Sequence, residues 1–134
     1  MVSRFYIELR PEVGHEAAVV FVSGEAHSFE LDLGCWRRDE YVESWRMQLR
    51  ELLAGEDRVA LLTRLPEGAA DGLAFVCERI DLSRALVRIL ECSFDASQIK
   101  SATDVLENPH LGRAKRELGV VSLGTIAQFL ERPS

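Results

Sequence analysis

Short stretches of apolar or alternating residues recur along the chain, and each predicts a β-strand. They are rich in β-branched and aromatic residues and are separated by glycine, proline or aspartate, as is typical of strands joined by turns. The six predicted strands span residues 4–10, 16–23, 28–33, 58–64, 73–80 and 84–92. In the third, Ser28-Phe29-Glu30-Leu31-Asp32-Leu33, the period of two places Glu30 and Asp32 together on an open face.

The last two of these strands are expected to pair as a hairpin through the turn at residues 81–83. Residues 84–92 leave an alternative open, because four apolar residues within them also fit a helical stripe. The alternation of Arg84, Arg88 and Glu91 with apolar neighbours favours the strand. Beyond Phe94 the pattern loosens into a polar loop, with a short helical turn expected at residues 103–106.

Two segments instead show the spacing of an amphipathic helix. Between Asp39 and Leu53, apolar residues recur at i, i+3 and i+4, and Gly55 follows where a left-handed C-terminal cap is expected. Acidic residues stand at its start, where the helix dipole favours negative charge: Asp39, Glu40 and Glu43. A second helix is predicted after Ser122, a natural N-cap, with its apolar face formed by Leu123, Ile126, Ala127, Phe129 and Leu130.

Together these elements predict an α+β fold. We expect a single mixed, mostly antiparallel sheet of about five to six strands, packed by two or more helices. The 134 residues suit one domain, residues 1–134, and the 47% hydrophobic and 28% charged composition is that of an ordinary globular protein.

Composition also indicates where the protein resides. No apolar run approaches the roughly 20 residues of a membrane span, and the N-terminal segment has no signal-peptide core. The three cysteines, Cys35, Cys77 and Cys92, form neither an even disulfide set nor a metal-binding pair, so we expect structural thiols in a reducing compartment. These features predict a cytoplasmic protein.

The formal net charge is −6, from 22 acidic and 16 basic residues. An acidic surface repels phosphate backbones, so nucleic acid is a poor partner and a basic protein is a better one. A net charge of this size is also what a small domain needs simply to stay soluble, and that interpretation stays open.

Sites for catalysis, metals or cofactors are not evident in the sequence. Phosphate-binding glycine loops and nucleophile elbows are absent, and the three histidines, His15, His27 and His110, lack metal-ligand spacing and are expected to be solvated. Glu30 and Asp32, roughly 6–7 Å apart by strand geometry, are the one candidate acid/base pair. With 22 acidic residues such a pair also arises by chance. The sequence therefore favours a protein that acts by binding.

The two tryptophans stand on either side of the start of the first helix. Trp45 lies on its apolar stripe and is expected in the core. Trp36 either closes the connection from strand to helix or, beside Arg37 and Arg38, forms a partly exposed anchor, since tryptophan and arginine are enriched in interface hot spots.

The order SFELDLGCW, YVESWRMQLRELLAG and RVALLTRLP resembles immunity proteins of bacterial contact-dependent growth inhibition systems. An acidic strand leads into a tryptophan, then into a tryptophan-centred helix and a strand ending near a proline. The likeness is clearest over residues 28–66, and Val121-Ser122 leading to Phe129-Leu130 also fits. The matching residues are Phe29, Leu31, Leu33, Trp36, Tyr41, Ser44, Trp45, Leu49, Leu62, Thr63 and Pro66.

The resemblance implies a protein that binds and blocks the C-terminal domain of a cognate toxin, commonly a nuclease and in some cases an RNase, as a 1:1 complex. It needs no cofactor, metal or catalytic residue. Its acidic side chains would take the place of phosphates in a positively charged site. The candidate toxin-binding residues are Glu30, Asp32, Trp36, Asp39, Glu40 and Glu43; second candidates in flanking turns are Glu56, Asp57, Glu67 and Asp71.

Two other classes of function stay open at this point. A small α+β enzyme would place several titratable groups with shifted pKa values in one pocket. A self-assembling structural or adaptor protein would expose an apolar patch to a second copy.

Overall fold

The computed structural model describes residues 5–9, 17–31, 37–64, 69–95 and 112–131. Seven strands and two helices lie within these ranges. In chain order they are β1 (Phe5–Leu9), β2 (Ala17–Val22), β3 (Glu25–Glu30), α1 (Arg38–Ala54), β4 (Arg58–Arg64), β5 (Ala69–Arg79), β6 (Arg84–Asp95), β7 (Gly112–Ser122) and α2 (Leu123–Glu131).

The strands form two antiparallel sheets, ordered β1-β2-β3 and β4-β5-β6-β7. The α+β class is confirmed, but two sheets replace the single mixed sheet expected from the sequence. The reason lies at the edge of β4, where α1 takes the place of a paired strand. Gln48 Oε1 accepts a hydrogen bond from Ala60 N at 3.2 Å, and Trp45 Nε1 donates to Leu62 O at 2.6 Å. Because α1 occupies this edge, β3 does not continue the second sheet through β4.

The hairpin expected from residues 73–80 and 84–92 is confirmed. β5 and β6 pair from Arg79↔Ala85 to Ala69↔Asp95, so both strands run longer than predicted and the helical alternative for residues 84–92 is wrong. β3 begins at Glu25, earlier than expected, because it pairs tightly with β2 across the turn at Ser23-Gly24. The helical turn expected at residues 103–106 lies outside the described residues.

β7 is a strand that the sequence pattern did not reveal. Its first half, Gly112–Glu117, is mostly polar and lacks apolar alternation. Pairing with β6 holds it in the sheet, with two irregularities in register, between Val87 and Arg88 and between Ile89 and Leu90. Backbone hydrogen bonds to a neighbouring strand, rather than side-chain periodicity, therefore define this element.

The core lies where the two sheets and both helices meet. At its centre Phe29 contacts Trp45 and Phe75, with ring centroids 6.3 and 5.3 Å apart, and Phe5 meets Phe129 edge-on at 5.8 Å. Among the residues whose burial is described, the largest fully buried side chains are Trp45, Tyr41, Phe75, Leu49, Leu52, Leu61, Leu62, Ile126, Val20, Val22 and Val59. The expectation that Trp45 is a core residue is confirmed.

Both predicted helix caps are confirmed. Gly55 has φ +128° and closes the C-terminus of α1 with backbone hydrogen bonds to Glu51 O and Leu52 O. Ser122 Oγ accepts a hydrogen bond from Thr125 N at 3.1 Å at the start of α2. Arginine side chains distant in sequence bind carbonyl groups near the C-terminal ends of the two helices. Arg79 donates to Leu52 O in α1, and Arg46 donates to Leu130 O in α2.

Candidate functional site

Three of the candidate toxin-binding residues lie together on the first two turns of α1. Asp39, Glu40 and Glu43 are all exposed to solvent. Glu40 also caps the helix, because its Oε1 accepts a hydrogen bond from Arg37 N at 3.1 Å. Asp39 and Glu43, four residues apart, therefore lie on neighbouring turns of one helix face and present two carboxylates to solvent.

This acidic face has a rigid support. On the opposite side of α1, Trp45 and Gln48 hydrogen-bond to the backbone of β4. Arg46 joins α1 to α2, since it donates to Leu130 O and lies over the Phe129 ring at 5.7 Å from the ring centroid. A helix held on two sides presents its charges with little loss of conformational entropy on binding.

The remaining candidates are described only in part. Glu30 ends β3, with its backbone opposite Ala17, and its side chain lies outside the described part of the structure. Asp32 and Trp36 also lie outside the described residues. Among the second candidates, Glu56 and Asp57 are exposed in the turn between α1 and β4, Asp71 is described by its backbone in β5, and Glu67 lies outside.

An open cleft of about 400 Å³ lies beside the start of α1. Among the described residues, its lining comprises Leu9 from the end of β1 together with Arg37, Arg38 and Asp39. Three of these four residues are charged, and both signs of charge are present. The cleft adjoins the acidic face of α1, because Asp39 belongs to both.

A second polar cluster lies where the two sheets meet. His27 on β3 is largely buried, with 14% of its side chain exposed, whereas the sequence led us to expect a solvated residue. Its Nδ1 lies 3.2 Å from the Arg116 guanidinium on β7, and its Nε2 lies 3.8 Å from Glu25 Oε2. Arginine only donates, so Nδ1 accepts this hydrogen bond and the imidazole is neutral. Burial and the Arg116 charge lower the pKa of His27 below its usual 6.5, against a smaller raising effect of Glu25.

This arrangement predicts a loss of stability in mild acid. The pKa of His27 is lower in the folded than in the unfolded state. Its contribution to the stability of the folded state is therefore complete above pH 6.5 and is lost as pH falls through the folded-state pKa. We expect the free energy of unfolding, measured in urea, to fall more between about pH 7.5 and about pH 5.5 in the wild type than in His27→Gln, which cannot titrate. Equal losses in the two proteins would contradict this role of His27.

Cys77 on β5 is a buried free thiol. Burial raises the pKa of the Cys77 thiol to about 12, as expected for an unreactive core cysteine. The described ranges contain no group of three or more His, Cys, Asp or Glu residues placed to hold a metal ion. Of the helices in these ranges, neither is long and apolar enough to span a bilayer.

Sequence reasoning missed a set of exposed apolar side chains. Leu82, in the turn between β5 and β6, is 93% exposed, and Ile80, Met47 and Val120 are 52%, 50% and 38% exposed. The available signal was a leucine between aspartate and serine in a turn, where an apolar side chain has no periodic partner. Exposed apolar side chains that lie close together are a feature of protein-binding surfaces.

Comparison with known proteins identifies a fold and no sequence family. No family model matches the sequence, and no curated protein matches it. Among solved structures, the chain is similar to a chain of the CdiA-CT/CdiI toxin and immunity complex from Enterobacter cloacae, with a TM-score of 0.67 and 19% sequence identity. The match covers 94% of this chain and 95% of the other. The resemblance to contact-dependent growth inhibition proteins noted in the sequence is thus confirmed at the level of the fold.

Proposed function

We propose that this chain is an immunity protein, which binds the C-terminal toxin domain of a cognate contact-dependent growth inhibition effector and neutralises it in the cytoplasm. The observation that carries the proposal is the shared fold, which extends over nearly the whole of both chains and belongs to a toxin and immunity complex. The residue pattern over 28–66 supports the same assignment independently of the coordinates. The protein acts by binding and carries out no reaction of its own.

The acidic face of α1 supports a basic toxin, and we propose a nuclease, an RNase being one case. A nuclease site attracts phosphates and is therefore positively charged, whereas this chain carries a net charge of −6. Asp39 and Glu43, on the exposed acidic face of α1, would oppose the positive residues of the toxin in a 1:1 complex. Truncation of a carboxylate side chain that pairs with a desolvated cation would weaken toxin binding by on the order of 2–5 kcal/mol.

The experiment is co-expression with the toxin domain encoded directly upstream, followed by pull-down and a growth assay. A stoichiometric complex and restored growth are the expected results. Growth arrest despite co-expression, with no complex recovered, would refute the immunity function.

Charge reversal on α1 tests whether this face is used. We expect Glu43→Lys to slow association with the toxin by about tenfold or more at low salt, because steering by the local field is lost. Glu131→Lys is the matched control, since it makes the same change in net charge at an exposed position on the other helix. Equal effects of the two reversals on association rate would show that only net charge matters and that α1 makes no local contact.

A further inference from the structure

The tip of the β5–β6 hairpin presents an apolar side chain on a rigid turn. Leu82 is 93% exposed, although the turn around it is held by specific hydrogen bonds. Asp81 Oδ1 accepts from Ser83 N at 2.9 Å and Oδ2 accepts from Arg84 Nε at 2.8 Å. Ser83 O in turn accepts from Leu123 N at 2.8 Å, which fastens the turn to the start of α2. Leu82 is therefore displayed by a fixed backbone.

Apolar side chains also lie next to this turn, on the outer face of the second sheet. Leu86 on β6 lies opposite Glu78 on β5 and opposite Val120 on β7, so these three side chains share a face. Ile80 continues the same side two residues beyond Glu78. The other face of these strands is the core, where Cys77, Val87 and Val121 are fully buried. We define Ile80, Leu82, Leu86 and Val120 as the hairpin patch.

Charged groups around the hairpin patch are paired within the chain. Arg88 lies 3.9 Å from both Glu78 and Glu117, which links β5, β6 and β7 across the outer face. Asp81 and Arg84 form a further ion pair at 2.7 Å. A partner that covers the patch would not need to neutralise these groups, which lowers the electrostatic cost of burying them.

The rim of the hairpin patch carries two exposed acidic residues and Arg58 on β4, which lies opposite Glu78. Arg79 N donates to Asp57 O at 2.7 Å, which brings the turn between α1 and β4 beside the end of β5. Glu56 and Asp57 in that turn are both exposed. An apolar centre with a charged rim is the usual composition of a protein interface. A basic partner complements Glu56 and Asp57 and the net charge of −6, whereas a second copy of this chain would carry the same negative charge.

We infer that the hairpin patch is an apolar anchor for the toxin domain, with Leu82 entering an apolar recess on the toxin and Glu56 and Asp57 facing its basic residues. This inference rests on the proposed immunity function and extends it to a surface other than α1. Because the turn is fixed before binding, burial of Leu82 loses little conformational entropy. An apolar contact of this kind acts mainly by slowing dissociation of the complex.

The test compares Leu82→Asp with Leu82→Met in the full chain. We expect Leu82→Asp to weaken binding to the upstream-encoded toxin domain by about 30-fold or more, as for a hot-spot residue, mainly through faster dissociation. Leu82→Met keeps an apolar side chain and should bind within about threefold of the wild type. The midpoint of thermal unfolding should not change in either variant, because Leu82 is 93% exposed. Biolayer interferometry and circular dichroism measure these quantities.

Three results would overturn the inference, and they differ in what else they refute. If Leu82→Asp binds the toxin as tightly as the wild type, the hairpin patch is not an anchor and the immunity function stands. If the wild type itself does not bind the toxin, both proposals fail. If the wild type sediments as a dimer that Leu82→Asp converts to a monomer with unchanged toxin affinity, the patch is a contact between copies of this chain.

Discussion

Replacement of Trp45 by alanine is expected to lower the free energy of unfolding by about 3–5 kcal/mol, or more if the site does not collapse. Trp45 is 1% exposed and packs against Phe29 and Tyr41 at centroid distances of 6.3 and 6.4 Å. Its Nε1 also donates to Leu62 O on the edge of β4. The substitution therefore opens a cavity between α1 and the sheet and leaves a buried carbonyl without its donor. Urea unfolding followed by far-UV circular dichroism measures the change.

Trp45→Phe separates these two contributions. Phenylalanine keeps an aromatic ring in the core but cannot donate to Leu62 O. We expect the free energy of unfolding to fall by about 1–3 kcal/mol because of the unsatisfied acceptor, and by a smaller amount because of the lost packing. If Trp45→Phe were as destabilising as Trp45→Ala, the hydrogen bond to β4 would dominate and the packing argument would be wrong.

Gly119→Ala is the second substitution with a large expected effect. It should lower the free energy of unfolding by about 2–4 kcal/mol. Gly119 on β7 has φ +150°, and a Cβ there would lie 2.6 Å from Ser23 Oγ and 3.0 Å from Ser23 Cβ. The serine hydroxyl cannot rotate away without breaking its hydrogen bond to Val120 O at 2.9 Å. The added methyl group would push the β2–β3 turn away from the second sheet. Thermal and urea unfolding measure the loss.

A matched control exists at Gly55, where φ is +128° but no atom lies within 4 Å of an added Cβ. Gly55→Ala carries backbone strain alone, about 1–2 kcal/mol, so it should destabilise less than Gly119→Ala. A Ser23→Gly exchange on the Gly119→Ala background should recover part of the loss. If the two glycine substitutions were equally destabilising and Ser23→Gly gave no recovery, the close approach of the sheets would not be the cause.

The exposure of the acidic residues on α1 could be predicted from the sequence, whereas that of the hairpin patch could not. The exposure of Asp39, Glu40 and Glu43 follows from helix periodicity, because polar residues on an amphipathic helix lie away from the buried stripe. The exposure of Leu82 and its neighbours could not be predicted in this manner. It depends on which face of the second sheet the first sheet covers, and that is decided by packing between segments distant in sequence.

Local sequence by itself determined the helices and their ends. The spacing of Tyr41, Trp45, Leu49 and Leu52 predicts α1 and its buried face, and Ser122 and Gly55 act as caps through hydrogen bonds to residues a few positions away. Helical hydrogen bonds are local, so a short window of sequence contains the information. The β5–β6 hairpin was predictable for the same reason, since a short turn joins its strands.

Only the tertiary structure decided the number of sheets, the existence of β7 and the contact between Ser23 and Gly119. The side chains of Trp45 and Gln48 hydrogen-bond to the β4 edge and end one sheet there, while β7 is held by β6 despite its polar sequence. Strand pairing joins backbone groups that carry no sequence signature, so its partners are selected by the packing of the whole chain.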